Sequence, residues 1–134
     1  MSKAPVDSLQ QHVKDWCPCV QSIVAALEST AEGGEIMKQA LYVRAPTEKW
    51  YEGGVVMLGD SVHSTLPHQG QGCCMAVESA AALAVLLKNA KETDTPEIVF
   101  QKYKELRKPR TDKITETSAI AGRIILSTDP DSIV

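Results

Sequence analysis

The chain has 134 residues, 43% of them hydrophobic and 23% charged, a composition that fits a globular domain or a piece of one. Its formal net charge of -3 comes with no basic stripe or tail, which argues against nucleic acid and anionic membrane surfaces as partners. No early segment joins a positive start to an apolar stretch, so a cytoplasmic protein without a secretory signal is the expectation.

Residues 6–28 are predicted helical with a break near Cys17-Pro18-Cys19, and Val20, Ile23, Val24 and Leu27 fall at the spacing of one apolar face. Gly33-Gly34 is expected to end this stretch. The β-branched and aromatic residues of Leu41-Tyr42-Val43-Arg44 predict a short strand before Pro46. Residues 50–54 read as a turn. Val55-Val56-Met57-Leu58 reads as a strand covered on both faces, as in a parallel α/β sheet. A Gly/Pro loop is expected over 61–72.

A helix is predicted over 73–89, and between Cys73 and Leu87 its only polar residues are Glu78 and Ser79. A helix apolar nearly all round is buried from several sides or crosses a membrane. A span needs about 20 apolar residues, so burial is the expectation, although few residues remain to surround it. Asp94 or Thr95 is the predicted cap of the next helix, with Pro96 in its first turn and Glu97 closing a capping box with Asp94. Val99, Tyr103 and Leu106 mark its inner face. Pro109 lacks an amide donor, so Arg107-Lys108-Pro109-Arg110 is expected to interrupt the helix. A last amphipathic helix is predicted over 111–127, with Ile114, Ala121 and Ile125 on one stripe. The cysteine pairs Cys17/Cys19 and Cys73/Cys74 fit neither zinc-ligand spacing nor a disulfide framework. They are expected to be small thiols in or near the core, with no metal site.

The chemistry concentrates in residues 55–84. A buried strand ends in Gly59-Asp60, a Gly/Pro loop follows, and a small-residue helix comes next. Ligands of α/β folds gather outside the carboxyl ends of such strands. Asp60 there either accepts hydrogen bonds from ligand hydroxyls or serves as a turn or cap residue. Gly70 and Gly72 either let a ligand approach the backbone or simply form a turn. The helix N-terminus favours an electron-rich ligand. A Walker-type phosphate loop is absent.

The run Gly59-Asp60-Ser61-Val62-His63, then Leu66-Pro67-His68-Gln69-Gly70-Gln71-Gly72 and Met75-Ala76-Val77-Glu78, resembles the second FAD fingerprint of class A flavoprotein monooxygenases. These are the salicylate hydroxylase and p-hydroxybenzoate hydroxylase relatives, and the likeness is strongest to fungal salicylate-hydroxylase-like members. It extends over residues 16–131, including 42–50 and 103–111. The resemblance implies the C-terminal part of such an enzyme: an α/β-derived fragment, mainly helical with a few short strands. The N-terminal Rossmann-like βαβ unit, whose G-x-G-x-x-G turn holds the pyrophosphate, has no match. The implied division is a substrate-domain remnant over 1–50, an FAD-binding strand–loop–helix over 51–92, and C-terminal helices over 93–134.

By the same resemblance Asp60 would bind a ribityl hydroxyl of FAD, and Gly59 would permit the close turn. Pro67 would lie beside the flavin ring. Gly70, Gln71, Gly72 and Cys73 would sit under its pyrimidine end, where the helix N-terminus stabilises negative charge on the reduced flavin. Pro67 and His68 are the candidate catalytic residues, His68 through contact with substrate, while His63 is expected to pack or bond within the loop. The implied reaction is hydroxylation or epoxidation of a small aromatic or polycyclic molecule with O2 and NAD(P)H, the redox chemistry belonging to the cofactor. The family commonly has an acidic pair where this chain has Glu78-Ser79, which leaves the role of the second carboxylate open. It commonly has Ala or Asn where this chain has Cys73-Cys74. The basic run at 107–110 reads as a solvated helix end, or as a partner for carboxylates elsewhere in a longer protein. Two other readings stay open. One is an inactive remnant that packs on a separately encoded N-terminal half or a paralogue. The other is an independent helical domain with another small-ligand role.

Overall fold

The computed structural model describes residues 2–30 and 35–127. They fall into two compact units that divide after Leu41. The Gly33-Gly34 stop lies outside the described residues.

In the first unit, β1 (Ser2–Pro5) pairs antiparallel with β2 (Glu35–Lys38), Ser2 opposite Lys38 and Pro5 opposite Glu35. Helices α1 (Val6–His12) and α2 (Pro18–Thr30) are separated at the expected break, and Pro18 opens α2, where a missing amide costs nothing. Val6, Val13 and Val24 are the buried side chains. The apolar face of α2 is narrower than its sequence suggests: Val24 is flanked by half-buried Val20 and Leu27, while Ile23 faces solvent. The strand expected over 41–44 does not form. Those residues have no ladder partner, and Tyr42 is 85% exposed.

In the second unit, β3 (Tyr51–Glu52) and β4 (Val55–Val56) form a hairpin around Gly53-Gly54, with Tyr51 opposite Val56. The strand at 55–58 is therefore a two-residue antiparallel edge and not a covered parallel strand. Val55 is 69% exposed, because no further strand among the described residues lies against it. The loop expected at 61–72 is partly helical. It contains the single turn α3 (Asp60–His63) and a 3-10 turn at Pro67–Gln69. Helix α4 (Gly72–Lys88) matches the predicted helix, yet only the stripe Met75, Ser79 and Leu83 is buried, and Val77, Val85 and Leu87 face out.

Thr95 holds the N-cap position of helix α5 (Pro96–Leu126) without a side-chain hydrogen bond, and Pro96 lies in the first turn. The capping box is absent. Asp94 instead accepts the Lys91 amide at 3.2 Å and pairs with Lys102 at 3.7 Å. The helix runs through Pro109 without a break. Pro109 lies on the exposed side, where water can serve the carbonyl that the missing amide leaves free. The buried side of α5 is also not the predicted one. Val99 and Tyr103 are buried, but Leu106 and Ile125 face solvent, and the seam continues through Arg107, Thr111, Thr115, Ser118 and Gly122. Small polar residues allow α5 to lie close to its neighbours, and their hydroxyls can bond back to the helix: Thr111 Oγ1 donates to the Arg107 or Lys108 carbonyl.

The core gathers Trp50, Val62, Leu83, Val99, Phe100 and Tyr103. Trp50 and Tyr103 meet edge to face with centroids 5.5 Å apart, and Trp50 Nε1 donates to the Thr47 carbonyl at 3.1 Å. All four cysteines are exposed, contrary to the expectation of core thiols. Cys73 and Cys74 sit in the first turn of α4, off the Met75–Ser79–Leu83 stripe that is packed. Among the described residues no helix is long and apolar enough to cross a membrane.

Candidate functional site

Gly59 ends the hairpin with φ 61° and ψ -145°, a conformation that residues with a Cβ rarely adopt. It is also packed: a Cβ added there would meet the Ala76 Cβ at 3.4 Å. The chain turns at this point, so Asp60 opens α3 on the exposed side while Val62 and His63 go into the core. The return segment is fastened to α5. Ser118 Oγ donates to the Leu66 carbonyl at 2.7 Å, and Thr117 Oγ1 reaches Gln69 Oε1 at 3.3 Å. Gly70 then closes the 3-10 turn in the left-handed region, with φ 63°.

These segments enclose an open cleft of about 490 Å3 lined by Asp60, Thr65, Leu66, Pro67, Gly70, Gly72, Cys73 and Ala76. Of the residues singled out in the sequence, Asp60, Pro67, Gly70, Gly72 and Cys73 thus come together. Gly59 touches the lining through Ala76, and Gln71 caps α4 without being part of the lining. Thr65 was not anticipated, and neither was Ala76. Thr65 lies between Asp60 and the glycines, and Ala76 one turn into α4, within the stretch the sequence marks as chemically informative.

His68 lies elsewhere. It lines a second cleft of about 690 Å3 with Val43, Leu66, Ala119, Gly122, Arg123, Leu126 and Ser127. Leu66 borders both clefts.

The first cleft offers a mixed set of donors and acceptors. Gln71 gives α4 no side-chain cap, so the amides of Gly72, Cys73 and Cys74 keep the free donors of a helix N-terminus. Thr65 Oγ1 is buried with no protein partner among the described residues. The Asp60 carboxylate supplies an acceptor for hydroxyls. A ligand that carries hydroxyl groups and an electron-rich end matches this set.

Beside the cleft, Glu78, Ser79, Arg107 and Arg110 are tightly paired, and His63 joins them through Nε2 while its Nδ1 is buried without a partner among the described residues. Glu78 accepts from Arg110 at 2.7 and 2.8 Å and from Arg107 at 2.9 Å. The two guanidiniums, Arg110 foremost, hold its carboxyl down to about 2. The run at 107–110 is therefore not simply a solvated helix end, since its arginines find their carboxylate on α4. Ser79, at the place of the family's second carboxylate, is fully buried between His63 Nε2 at 2.9 Å and Arg107 Nε at 3.2 Å. Burial pushes the His63 imidazole below its ordinary value, and Arg107 pushes the same way against the pull of Asp60.

A model of the FAD binding domain matches residues 12–118. The chain belongs to that family, the class A FAD-dependent monooxygenases, and the family's cofactor is FAD. It is 36% identical over 110 residues to the chloroplastic zeaxanthin epoxidase of Arabidopsis thaliana, an overlap of 79% of this chain and 16% of that protein. It is 33% identical over 119 residues to the FAD-dependent monooxygenase notI of Aspergillus sp. (strain MF297-2), covering 87% of this chain and 27% of the relative. The FAD-dependent monooxygenase ptmM of Penicillium ochrochloron is 42% identical over 83 residues, or 57% of this chain and 20% of its own. The chain thus spans between 16% and 27% of the length of these relatives.

Proposed function

We propose that the cleft between Asp60 and Ala76 holds the ribityl chain and flavin ring of FAD, as one part of a monooxygenase that hydroxylates or epoxidises a small aromatic or polycyclic molecule. O2 and a reduced nicotinamide are the co-substrates of this reading. The observation that carries it is the convergence of Asp60, Pro67, Gly70, Gly72 and Cys73 on one cleft at the uncapped end of α4.

In this reading Asp60 accepts a hydrogen bond from a ribityl hydroxyl, and Thr65 Oγ1 gains the partner it lacks. Pro67 presents a rigid ring edge to the flavin. The amides of Gly72 and Cys73 donate toward its pyrimidine end, where fixed donors favour charge that builds up on reduction. FAD supplies the electron transfer to O2, and this segment of protein supplies orientation and electrostatics. His68, placed at the second cleft, contributes no proton transfer within the first. Residues 51–92 are the cofactor-holding part of the chain in this assignment, flanked by a substrate-side part over 1–50 and C-terminal helices over 93–134.

The test is FAD titration of the purified chain, followed by flavin fluorescence and the visible spectrum. Saturable quenching with a shifted spectrum supports the assignment. A folded chain that leaves the flavin signal unchanged at high FAD concentration refutes it.

A second reading, a non-catalytic piece that packs on a partner, draws on the outward apolar side chains Val77, Val85 and Leu87 of α4. In that case solubility depends on a separately supplied N-terminal half or a paralogue, and co-expression reads it out.

A further inference from the structure

A buried polar chain runs from α5 to the turn that presents Asp60. The Arg107 side chain is 8% exposed, and its guanidinium meets three partners. Nη2 donates to Glu78 Oε2 at 2.9 Å and to the Met75 carbonyl at 3.4 Å, and Nε donates to Ser79 Oγ at 3.2 Å. Ser79 Oγ in turn shares a 2.9 Å hydrogen bond with His63 Nε2. His63 is the last residue of α3, a helix of four residues, far too short to be stable alone. The amides of Val62 and His63 close that turn on the Gly59 carbonyl at 3.0 and 2.9 Å. The turn begins at a glycine in a left-handed conformation, so its own backbone preference does not fix it. Apolar side chains often replace a buried ion pair without loss of stability, so the contacts of Arg107 need not be there for stability alone. What the arginine adds is a set direction for Ser79, and through it for the His63 ring.

We propose that Arg107 is a positioning residue of the cofactor cleft, acting through Ser79 and His63 to fix the turn that aims Asp60. It does not line the cleft itself. The consequence for FAD rests on the assignment of Asp60 under the proposed function, whereas the consequence for the turn does not.

Hydrogen exchange in the full chain measures the turn directly. Arg107→Met and Ser79→Ala should each speed exchange at the Val62 and His63 amides about tenfold or more relative to Leu83 and Tyr103. Arg110→Met should not, because it leaves the Ser79–His63 link in place. Unchanged exchange at Val62 and His63, or equal acceleration along all of α4 and α5, overturns the proposal. Where Arg107→Met does not fold, Arg107→Lys serves instead. It keeps the charge beside Glu78 but cannot engage Ser79 and Glu78 with one rigid fork, and the same local acceleration is expected.

FAD titration adds the link to Asp60. Arg107→Met should weaken binding about tenfold in the natural chain and less than about twofold in an Asp60→Ala background. Equal losses in both backgrounds overturn that link. A natural chain without FAD affinity, or an Asp60→Ala chain that binds as well as the natural one, refutes the cofactor assignment instead. The exchange comparison then still decides whether Arg107 holds the turn.

Discussion

Gly122 of α5 lies directly against the ring of His68, so close that a Cβ at Gly122 would overlap the imidazole. The contact fastens the 3-10 turn to the long helix at a third point, beside the Ser118–Leu66 and Thr117–Gln69 hydrogen bonds. Gly122→Ala should therefore destabilise the chain by about 1–3 kcal/mol, the usual cost of overpacking. A urea-unfolding midpoint reads the loss. Adding His68→Ala to Gly122→Ala should recover most of it, since the smaller side chain vacates the space. A Gly122→Ala chain as stable as the natural one would show that the ring moves aside freely.

Gly59 combines a positive φ with contact to Ala76, whereas Gly54 has neither a positive φ nor a neighbour within 4 Å of an added Cβ. Gly59→Ala should cost about 1–2 kcal/mol from the left-handed backbone alone. Gly54→Ala should stay within about 0.5 kcal/mol of the natural chain. Comparable losses in the two variants would place the strain somewhere other than the turn before Asp60.

Asp60 is exposed and its side chain has no hydrogen bond among the described residues, so its removal should leave folding nearly unchanged. Asp60→Ala should nevertheless weaken FAD binding about tenfold or more, as expected for a charge-assisted hydrogen bond to a ligand hydroxyl. Fluorescence titration and a urea midpoint on the same sample separate the two effects. A fall in stability without a fall in affinity would make Asp60 a turn residue only.

Stability should fall with acid in two limbs. The His63 imidazole is held below 6.5 by burial and by Arg107, so the folded state binds its proton less readily than the unfolded state does. Its contribution is full above pH 6.5 and is lost as pH falls through the lower folded-state value. The Glu78 carboxyl drops from 4.5 to about 2 on folding, so its contribution is full above pH 4.5 and disappears toward pH 2. Glu78 is 37% exposed, and solvent screening makes this second limb shallow. Unfolding midpoints across pH should show both limbs. Glu78→Gln should flatten the lower limb and His63→Gln the upper one.

The candidate cleft was legible in the sequence because its parts are local. Gly59-Asp60, Pro67, Gly70 and Gly72 lie within fourteen residues, so one short loop brings them near one another before its contacts with α5 fix it. Helix α4 was legible for a similar reason, a long apolar run without Gly or Pro in its interior. What failed was everything decided by partners. The apolar residues 41–44 make no strand, because β propensity without a ladder supplies no hydrogen bonds. Val55 lies open for the same reason. Pro109 is expected to break a helix, yet it lies on the solvent side, where water can take the place of the lost bond. The seam of α5 was the hardest feature to anticipate. Thr111, Thr115, Ser118 and Gly122 look like surface residues in sequence, and they are buried because close helix approach favours small side chains over Ile125 or Leu106. Thr65 and Arg107 carry no such signal in the sequence, since one contributes an unpartnered hydroxyl and the other acts through two intermediaries.

Helix α5 is a single rod of about 46 Å at 1.5 Å per residue, and it grips the cleft twice. Arg107 holds the wall that carries Asp60, and about three turns further on Ser118 holds the wall that carries Pro67. The spacing of the two walls is thus gauged against one ruler. A ligand that wedges them apart has to flex that ruler, and between the two grips sits Pro109, where one rung of its hydrogen-bond ladder is missing.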